Sequence, residues 1–454
     1  MPSSFPAPCP ASRCPMAPRG RVWPAPSSSS GWMNGPAPRC PSTICCAICR
    51  AKESLVSPLA SEWTADALAD PVPLARALIA CPSVTPADNG ALDVVQAALT
   101  ALGFAVERLS FGEEGGEGDQ ARVDNLFARR GSGRPVLAFA GHTDVVPAPA
   151  DSGWTRDPFA ADVEDGLLYG RGAVDMKGAI ACFIAAVARL PRDHPGPLAF
   201  LITGDEEGPA LHGTVRVLEW MQAQGITVDH CLVGEPTNPE ALGEALKIGR
   251  RGSLSATITL RGQGGHVAYP HRADNPVHRL VRLAADLTAA PLDRGSAHFE
   301  PSSMQLTSLD VGNPTPNLIP AQARVTLNIR FNDHHTGASL QRWLEERALQ
   351  ACDGRRDAFT LVTKLSGEAF VTEPGRLTTL LEDACLAVVG RRPVLSTSGG
   401  TSDARFIRAV CPVVEFGLVG QTMHKADEAV ALADLESLTQ IYHRFLERYL
   451  EAPE

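Results

Sequence analysis

Five short stretches carry side chains that could do chemistry. The first, Gly141-His142-Thr143-Asp144-Val145-Val146-Pro147, directly follows the apolar run Pro135 to Ala140. A His two residues before an Asp suits a metal ligand whose free ring nitrogen is held by a carboxylate, which fixes the tautomer and raises its basicity. The same spacing also describes an ordinary polar turn. Asp175 follows Gly170-Arg171-Gly172 and precedes a helical segment near Lys177, where it either ligates a metal or simply caps the helix. Glu206 and Glu207 stand in Thr203-Gly204-Asp205-Glu206-Glu207-Gly208, which reads equally as a solvated acidic loop. Glu235 ends an apolar run in Val233-Gly234-Glu235-Pro236-Thr237, and His424 lies in Thr422-Met423-His424-Lys425. Most of these residues follow predicted strand ends, where open α/β sheets bind ligands. All are donors of the kind zinc accepts at catalytic sites.

The elements that must position them are legible in the hydrophobic pattern. Pro135 to Ala140, Leu198 to Thr203 and His230 to Val233 read as buried strands, and Lys177 to Leu190 and Thr214 to Gln224 as helices. The alternation implies an α/β domain. Between about Ser253 and Leu365 the pattern changes. Ser255 to Leu260 alternates polar and apolar residues, Pro276 to Ala289 is helical, strands follow near Met304 to Val311 and Ala323 to Phe331, and Ser339 to Cys352 is helical again. Alternation suggests a sheet with one solvated face, and the strand-helix-strand-strand-helix order is that of a ferredoxin-like insert. Leu377 to Val389, Cys411 to Phe416 and Leu432 to Tyr449 then resume the helix and buried-strand pattern of the α/β domain. The expected division is an N-terminal extension at 1–60, a first catalytic part at 61–252, an inserted domain at 253–365 and a second catalytic part at 366–454.

Composition narrows the function classes. The 454 residues are 44% apolar, enough for more than one core. No apolar run reaches the roughly 18 residues a membrane-spanning helix needs, so no membrane partner and a cytoplasmic location are expected. The net charge of −10 is split. Residues 1–60 hold Arg13, Arg19, Arg21, Arg39, Arg50 and Lys52 against Glu53, a net +5, which leaves −15 on the remainder. An acidic body repels phosphate backbones, so nucleic acid is not an expected partner. The first 60 residues are rich in Pro, Ser, Ala and Cys without an apolar period. They read as disordered, and as upstream DNA translated from a mis-called start rather than a secretory signal. Cys40, Cys45, Cys46 and Cys49 fit no common paired zinc spacing.

In order and context, the five stretches resemble the co-catalytic zinc peptidase and deacylase family, over a span from about Leu68 to the C-terminus. The resemblance implies a zinc-peptidase-like α/β catalytic domain, with a mixed central sheet flanked by helices and an inserted α+β ferredoxin-like lid that dimerises. It implies two zinc ions, with cobalt able to replace one. His142, Asp175 and Glu235 would hold the first, and Asp175, Glu207 and His424 the second, with Asp175 bridging. Asp144 would orient His142. Glu206 would be the general base toward a water held between the metals, and would return the proton to the departing amine. The peptide between Asp175 and Met176 is expected to be cis.

Four further motifs face the substrate in that family: Lys247 to Leu254, Gly264 to His271, Asn313 to Pro320 and Ser396 to Phe406. They resemble those of members that cleave N-succinyl-L,L-diaminopimelate, a ligand with three carboxylates that calls for guanidinium forks and small hydroxyl or amide donors. Arg250, Ser253, Asn317, Arg330, Gly400 and Thr401 are expected in that role, although Arg250 and Arg251 also read as a solvated strand edge. A rival reading is the removal of acetyl or other acyl groups from amino acids. His266 would reach the neighbouring subunit's site to help hold an oxyanion, so a homodimer formed through the insert is expected. A non-catalytic binding protein of the same fold is the remaining alternative, and it would be expected to have lost a ligand or the base.

Overall fold

A computed structural model describes residues 63–191 and 196–451. The expectations for residues 1–60 therefore fall outside the described residues. In chain order the elements used below are β1 (Ala105–Phe111), β2 (Val123–Arg130), β3 (Leu137–His142), α1 (Lys177–Ala188), β4 (Leu198–Thr203), α2 (Thr214–Ala223), β5 (His230–Val233) and β6 (Ala245–Lys247). They continue with β7 (Gly252–Arg261), α3 (Pro276–Leu287), β8 (Ser303–Asp310), β9 (Gln322–Phe331), α4 (Gly337–Ala351) and β10 (Phe359–Gly367). The last are α5 (Arg376–Val389), β11 (Val394–Ser396), β12 (Val413–Glu415) and α6 (Leu432–Glu451).

The main sheet has eight strands in the order β1-β2-β4-β3-β5-β12-β6-β11. It is mixed: β4, β3, β5 and β12 run parallel as neighbours, while β1-β2, β2-β4 and β12-β6 are antiparallel. Side chains alternate across a strand, so one strand serves two cores. Leu137 and Phe139, with Leu198, Phe200 and Ile202, face a core shared with α1, α5 and α6. Ala138 and Ala140, with Ala199 and Leu201, face the opposite core with Val217, Leu218 and Met221 of α2. Helix α1 is buried from Lys177 to Val187, as expected of a helix apolar on every side. Phe183 from that helix stacks on Phe139 at 4.2 Å between ring centroids, and the Tyr442 hydroxyl of α6 donates to the Phe416 carbonyl at 2.5 Å.

A second sheet, ordered β8-β9-β7-β10, is wholly antiparallel. With α3 after β7 and α4 after β9, the order is that of a split βαβ arrangement. Alternate residues of β7 and β9 (Leu254, Ala256, Ile258, Leu260 and Val325, Leu327, Ile329, Phe331) form a separate core with Leu280, Leu283 and Leu287 of α3 and Leu340, Leu344 and Ala348 of α4. Asn275 caps α3 through Val277 N–H at 3.0 Å with Pro276 at the first helical position. Thr336 and Ser339 close a capping box on α4.

Most predicted elements match within a few residues. Strand β3 extends to His142, so this residue is the last of its strand rather than part of the following loop. Five of the strands named above lie outside the sequence expectation: β1, β2, β6, β10 and β11. Strand β1 is an edge strand with most side chains at least partly exposed, and β10 is similar, so neither carries the apolar run or clean alternation that marks a half-buried strand.

Candidate metal centre

The parallel neighbours β4, β3, β5 and β12 end on the same side of the sheet, and acid or imidazole groups stand at each end. His142 closes β3, Glu206 and Glu207 follow β4, Glu235 follows β5, and Glu415 closes β12. Asp175 arrives from the loop before α1, and His424 from the loop between β12 and α6. The peptide between Asp175 and Met176 is cis, as expected. A Cβ on Gly141 or on Gly234 would lie 2.7 Å from the Met176 methyl carbon, and on Gly234 it would also meet the Phe139 ring at 2.7 Å, so the second position has little room for a side chain. Met176 thus packs against two strand ends, directly beneath the ligand-bearing loop.

The expected ligands converge. His142 Nε2 lies 3.2 Å from Asp175 Oδ1 and 3.6 Å from Glu235 Oε1. His424 Nε2 lies 2.7 Å from Glu207 Oε1 and 3.1 Å from Asp175 Oδ2. Among the described residues, His142-Asp175-Glu235 and Asp175-Glu207-His424 each form a group that could hold a metal, with Asp175 common to both. A third grouping joins His142 to Glu206 and Glu207. The two carboxylate oxygens of Asp175 face different imidazoles, an arrangement suited to bridging.

Asp144 is buried and holds the site together differently from the simple His-x-Asp expectation. His142 Nδ1 meets the Asp144 backbone carbonyl at 2.9 Å, while the carboxylate stands at 3.6 Å. That carboxylate accepts the backbone N–H of Glu206 at 3.3 Å and of Glu207 at 3.0 Å. It therefore fixes the turn carrying both glutamates as well as flanking the imidazole.

Electrostatics show that this donor set wants a cation. Burial, with repulsion from Asp175, pushes Glu235 up to about 8, and burial pushes Asp144 up to about 6. Glu206 is held well above its ordinary value by burial and the nearby Glu235 charge. Burial opposes ionisation of Asp175, yet hydrogen bonds from His142 and His424 hold it below the usual range. Hydrogen bonds to Asp175 and Glu207 raise His424 to about 10. Burial acts against a charged His142, but the Asp175 contact outweighs it and raises the imidazole well above its usual value. The upward shifts of both imidazoles have one cause, the carboxylates crowded around them. The residues fit a two-cation centre.

The expected substrate-binding residues fall into separate places. Arg250 is buried, and its Nε lies 2.9 and 3.0 Å from the two Glu415 carboxylate oxygens. Its Nη2 also pairs with Glu415, and Nη1 donates to the Gly400 carbonyl at 3.1 Å. Arg250 is thus no solvated strand edge, and the structure joins it to Gly400 and, through that loop, to the half-buried Thr401. Ser253 is buried and sits opposite Arg330 in the β7-β9 register. Asn317 and His266 lie together on a short ribbon in which His266 pairs with Leu318 and Val267 N–H donates to the Asn317 carbonyl at 3.1 Å. Both are exposed, and His266 belongs to none of the three groups found among the described residues.

Sequence reasoning passes over Glu415 and Glu428, and it assigns no role to Arg405 within the Ser396 to Phe406 motif. Glu415 also accepts from Ser402 Oγ at 2.6 Å, and Arg405 Nη1 stands 4.0 Å from Glu206 Oε1. The one available signal for Glu415 is its place at the end of an apolar strand beside three others that bear candidates.

Residues 138–448 match the peptidase family M20/M25/M40, and the chain belongs to that family. Within it, the chain is 64% identical over 397 residues to a succinyl-diaminopimelate desuccinylase of Rhodospirillum rubrum, covering 85% of this chain and 100% of that one. A Caulobacter vibrioides protein of the same name is 55% identical over 383 residues, covering 84% and 97%. Solved structures agree on the fold. An M20 family metallo-carboxypeptidase from Sulfolobus solfataricus superposes with a TM-score of 0.66 at 16% identity, covering 84% of this chain and 100% of its own. A dinuclear metal binding peptidase of the M20 family from Bacillus subtilis gives 0.61 at 16% identity, covering 86% and 99%.

Proposed function

We propose that this chain hydrolyses the amide of N-succinyl-L,L-2,6-diaminopimelate, releasing succinate and L,L-2,6-diaminopimelate for lysine and meso-diaminopimelate synthesis. The observation that carries this is the 64% identity to a desuccinylase over that relative's full length. His142, Asp175 and Glu235 would hold one zinc ion and Asp175, Glu207 and His424 the other, with cobalt able to replace one. When bound, two such cations polarise a carbonyl and make a water acidic enough to attack at neutral pH.

The chain's own residues do the rest. Glu206, held at the site's edge by the Asp144 clamp on its N–H, takes a proton from the attacking water and delivers it to the departing amine. The amide C–N bond breaks, and the two products leave as a carboxylate and an amine. Arg250, Ser253, Arg330, Asn317, Gly400 and Thr401 serve the three substrate carboxylates. Glu415 takes the Nε–H and one Nη2–H of Arg250 and the Gly400 carbonyl takes one Nη1–H, which leaves one N–H on each terminal nitrogen for a ligand.

Residues 253–365 act as a lid and dimerisation domain inserted between catalytic parts 61–252 and 366–454, with His266 serving the neighbouring subunit's site. The exposed placement of His266 and Asn317 on one ribbon supports this reading. Among the described residues no helix is long and apolar enough to cross a membrane, and a biosynthetic role favours a cytoplasmic location. The deciding experiment supplies metal-loaded protein with N-succinyl-L,L-diaminopimelate beside N-acetylornithine and follows amide loss. Preference for the succinyl substrate is expected. A higher kcat/KM on the acetyl compound would overturn the assignment.

A further inference from the structure

Glu428 stands outside the ligand set, yet its carboxylate is fully buried and surrounded by donors from the 171–175 loop, more than 250 residues away along the chain. One oxygen accepts Arg171 Nη1 at 2.7 Å and Gly172 N–H at 3.1 Å. The other accepts Val174 N–H at 2.9 Å and Asp175 N–H at 3.2 Å. The Glu428 carbonyl accepts Gly170 N–H at 2.9 Å. This contact continues a short antiparallel pairing in which Ala429, Val430 and Ala431 face Tyr169, Leu168 and Leu167.

The same residue therefore grips the loop that delivers Asp175 while standing four positions after His424. Thr422 Oγ1 closes the His424 loop on its other side, donating to the Ala429 carbonyl at 2.9 Å and accepting Ala429 N–H at 3.2 Å. The backbone at His424 adopts φ +61°, a conformation uncommon outside glycine, so its direction depends on what anchors the loop. Every partner of the Glu428 side chain is a donor. Only an acceptor-only carboxylate satisfies both ends.

We infer that Glu428 is a positioning residue that locks the Asp175 loop to the His424 loop and so sets the affinity of the two-metal centre. The inference rests on the two-metal reading above. Its effect is unequal between the ligand groups. Losing the clamp disturbs Asp175, which belongs to both, but alters the spacing of Asp175 from His424 only in the second.

The test titrates metal-free protein with Zn2+ against a chromophoric chelator, comparing wild type with Glu428→Gln. The amide must turn its NH2 toward one pair of donors, so a glutamine of nearly the same shape cannot replace the carboxylate. Expected is a weakening of roughly 10- to 100-fold, larger for one of the two ions than for the other, in protein whose far-ultraviolet circular dichroism matches wild type. Binding of both ions within about twofold of wild type overturns the inference, and so does an equal loss at both. If Glu428→Gln does not fold, Arg171→Gln decides, because it keeps the carboxylate and its three backbone donors. A smaller loss with the same inequality is then expected, and an unchanged titration overturns the inference. Wild type that binds fewer than two ions refutes the two-metal reading instead, which keeps the two failures apart.

Discussion

The ligand cluster and the His266 ribbon are built on opposite terms. In the cluster, carboxylate oxygens of three different segments stand 2.7 to 3.6 Å from an imidazole nitrogen, supported by strand ends and a core on either face of the sheet. On the ribbon, His266 and Asn317 are exposed, and the His266 ring is engaged by a local contact, Ala268 N–H at 3.1 Å from Nδ1. The first region is closed by its own chain. The second presents chemistry-bearing side chains on a surface, which is how a residue looks when its target belongs to another molecule. Convergence on other candidate side chains marks what a single chain uses, since His424 is exposed yet meets Glu207 and Asp175, whereas a functional type exposed outside any such group marks where to look for a second chain.

The largest expected effect breaks the cluster's chemistry without its architecture. Glu206→Gln should lower kcat by about 10²- to 10⁴-fold, because an amide cannot accept the water's proton, while two metals per chain remain by elemental analysis. Turnover within tenfold of wild type would move the base elsewhere. Next comes the ribbon. His266→Ala should cost about 10²- to 10³-fold in kcat if it donates to a developing oxyanion, with the dimer intact by sedimentation. Mixing His266→Ala with Glu206→Gln subunits distinguishes the two ways His266 could act. Across subunits, the intact His266 of the base-defective chain serves the other chain's Glu206, and the heterodimer recovers about half of wild-type activity. A same-subunit role leaves both sites damaged and recovers nothing.

A third, more moderate effect sharpens the electrostatic side of the cluster. In metal-free protein Glu235 and Asp144 hold protons up to about 8 and 6, above the unfolded carboxylate range. The stability these groups contribute is present at low pH and lost as pH rises through those values. His424, raised to about 10, acts in the same direction, since its contribution is complete below the ordinary imidazole range and fades as pH climbs toward 10. Metal binding requires the deprotonated ligands and gains as they ionise. The thermal midpoint of metal-free protein should therefore fall between pH 6 and 8.5 relative to the metal-loaded form. A constant or narrowing gap would count against the cation-demanding reading. The smallest effect is expected from removing residues 1–60, since the cluster and the ribbon both lie beyond residue 63. kcat/KM and thermal midpoint should stay within error, and a loss of several degrees would assign that segment a role in stability.

The cluster is legible in part because His142, Glu206, Glu207 and Glu235 sit at or just beyond the ends of strongly apolar strands, where a polar residue is conspicuous, whereas Asp175 and His424 arrive on loops and are picked out by their motifs alone. The buried strands β4 and β5 match their expected bounds to the residue for the same reason. Glu415 and Glu428 are not legible, because each owes its importance to a partner far along the chain, Arg250 and the 171–175 loop, and no local period encodes such pairings. The 2.9 Å contact of His142 Nδ1 to a backbone carbonyl is equally hidden, since side-chain spacing says nothing about main-chain acceptors. Strand β10 escapes for another reason, its largely exposed side chains leaving little hydrophobic signal.

The place of β12 in the sheet bears on how the protein is born. This strand inserts between β5 and β6, both of which precede it by some 170 residues, and α6 packs on α1. At ribosomal rates of roughly 5 to 20 residues per second, His424 leaves the tunnel roughly 10 to 40 s after Glu235. Throughout that interval β5, whose Cys231, Leu232 and Val233 are buried in the finished protein, has an open edge where β12 will pair, and unpaired edges invite association with other chains. A nascent chain stalled before Val413 would hold His142, Asp175, Glu207 and Glu235 but lack His424. The second group can therefore be completed only once His424 has emerged, and the interval before that is when a chaperone would have most to protect.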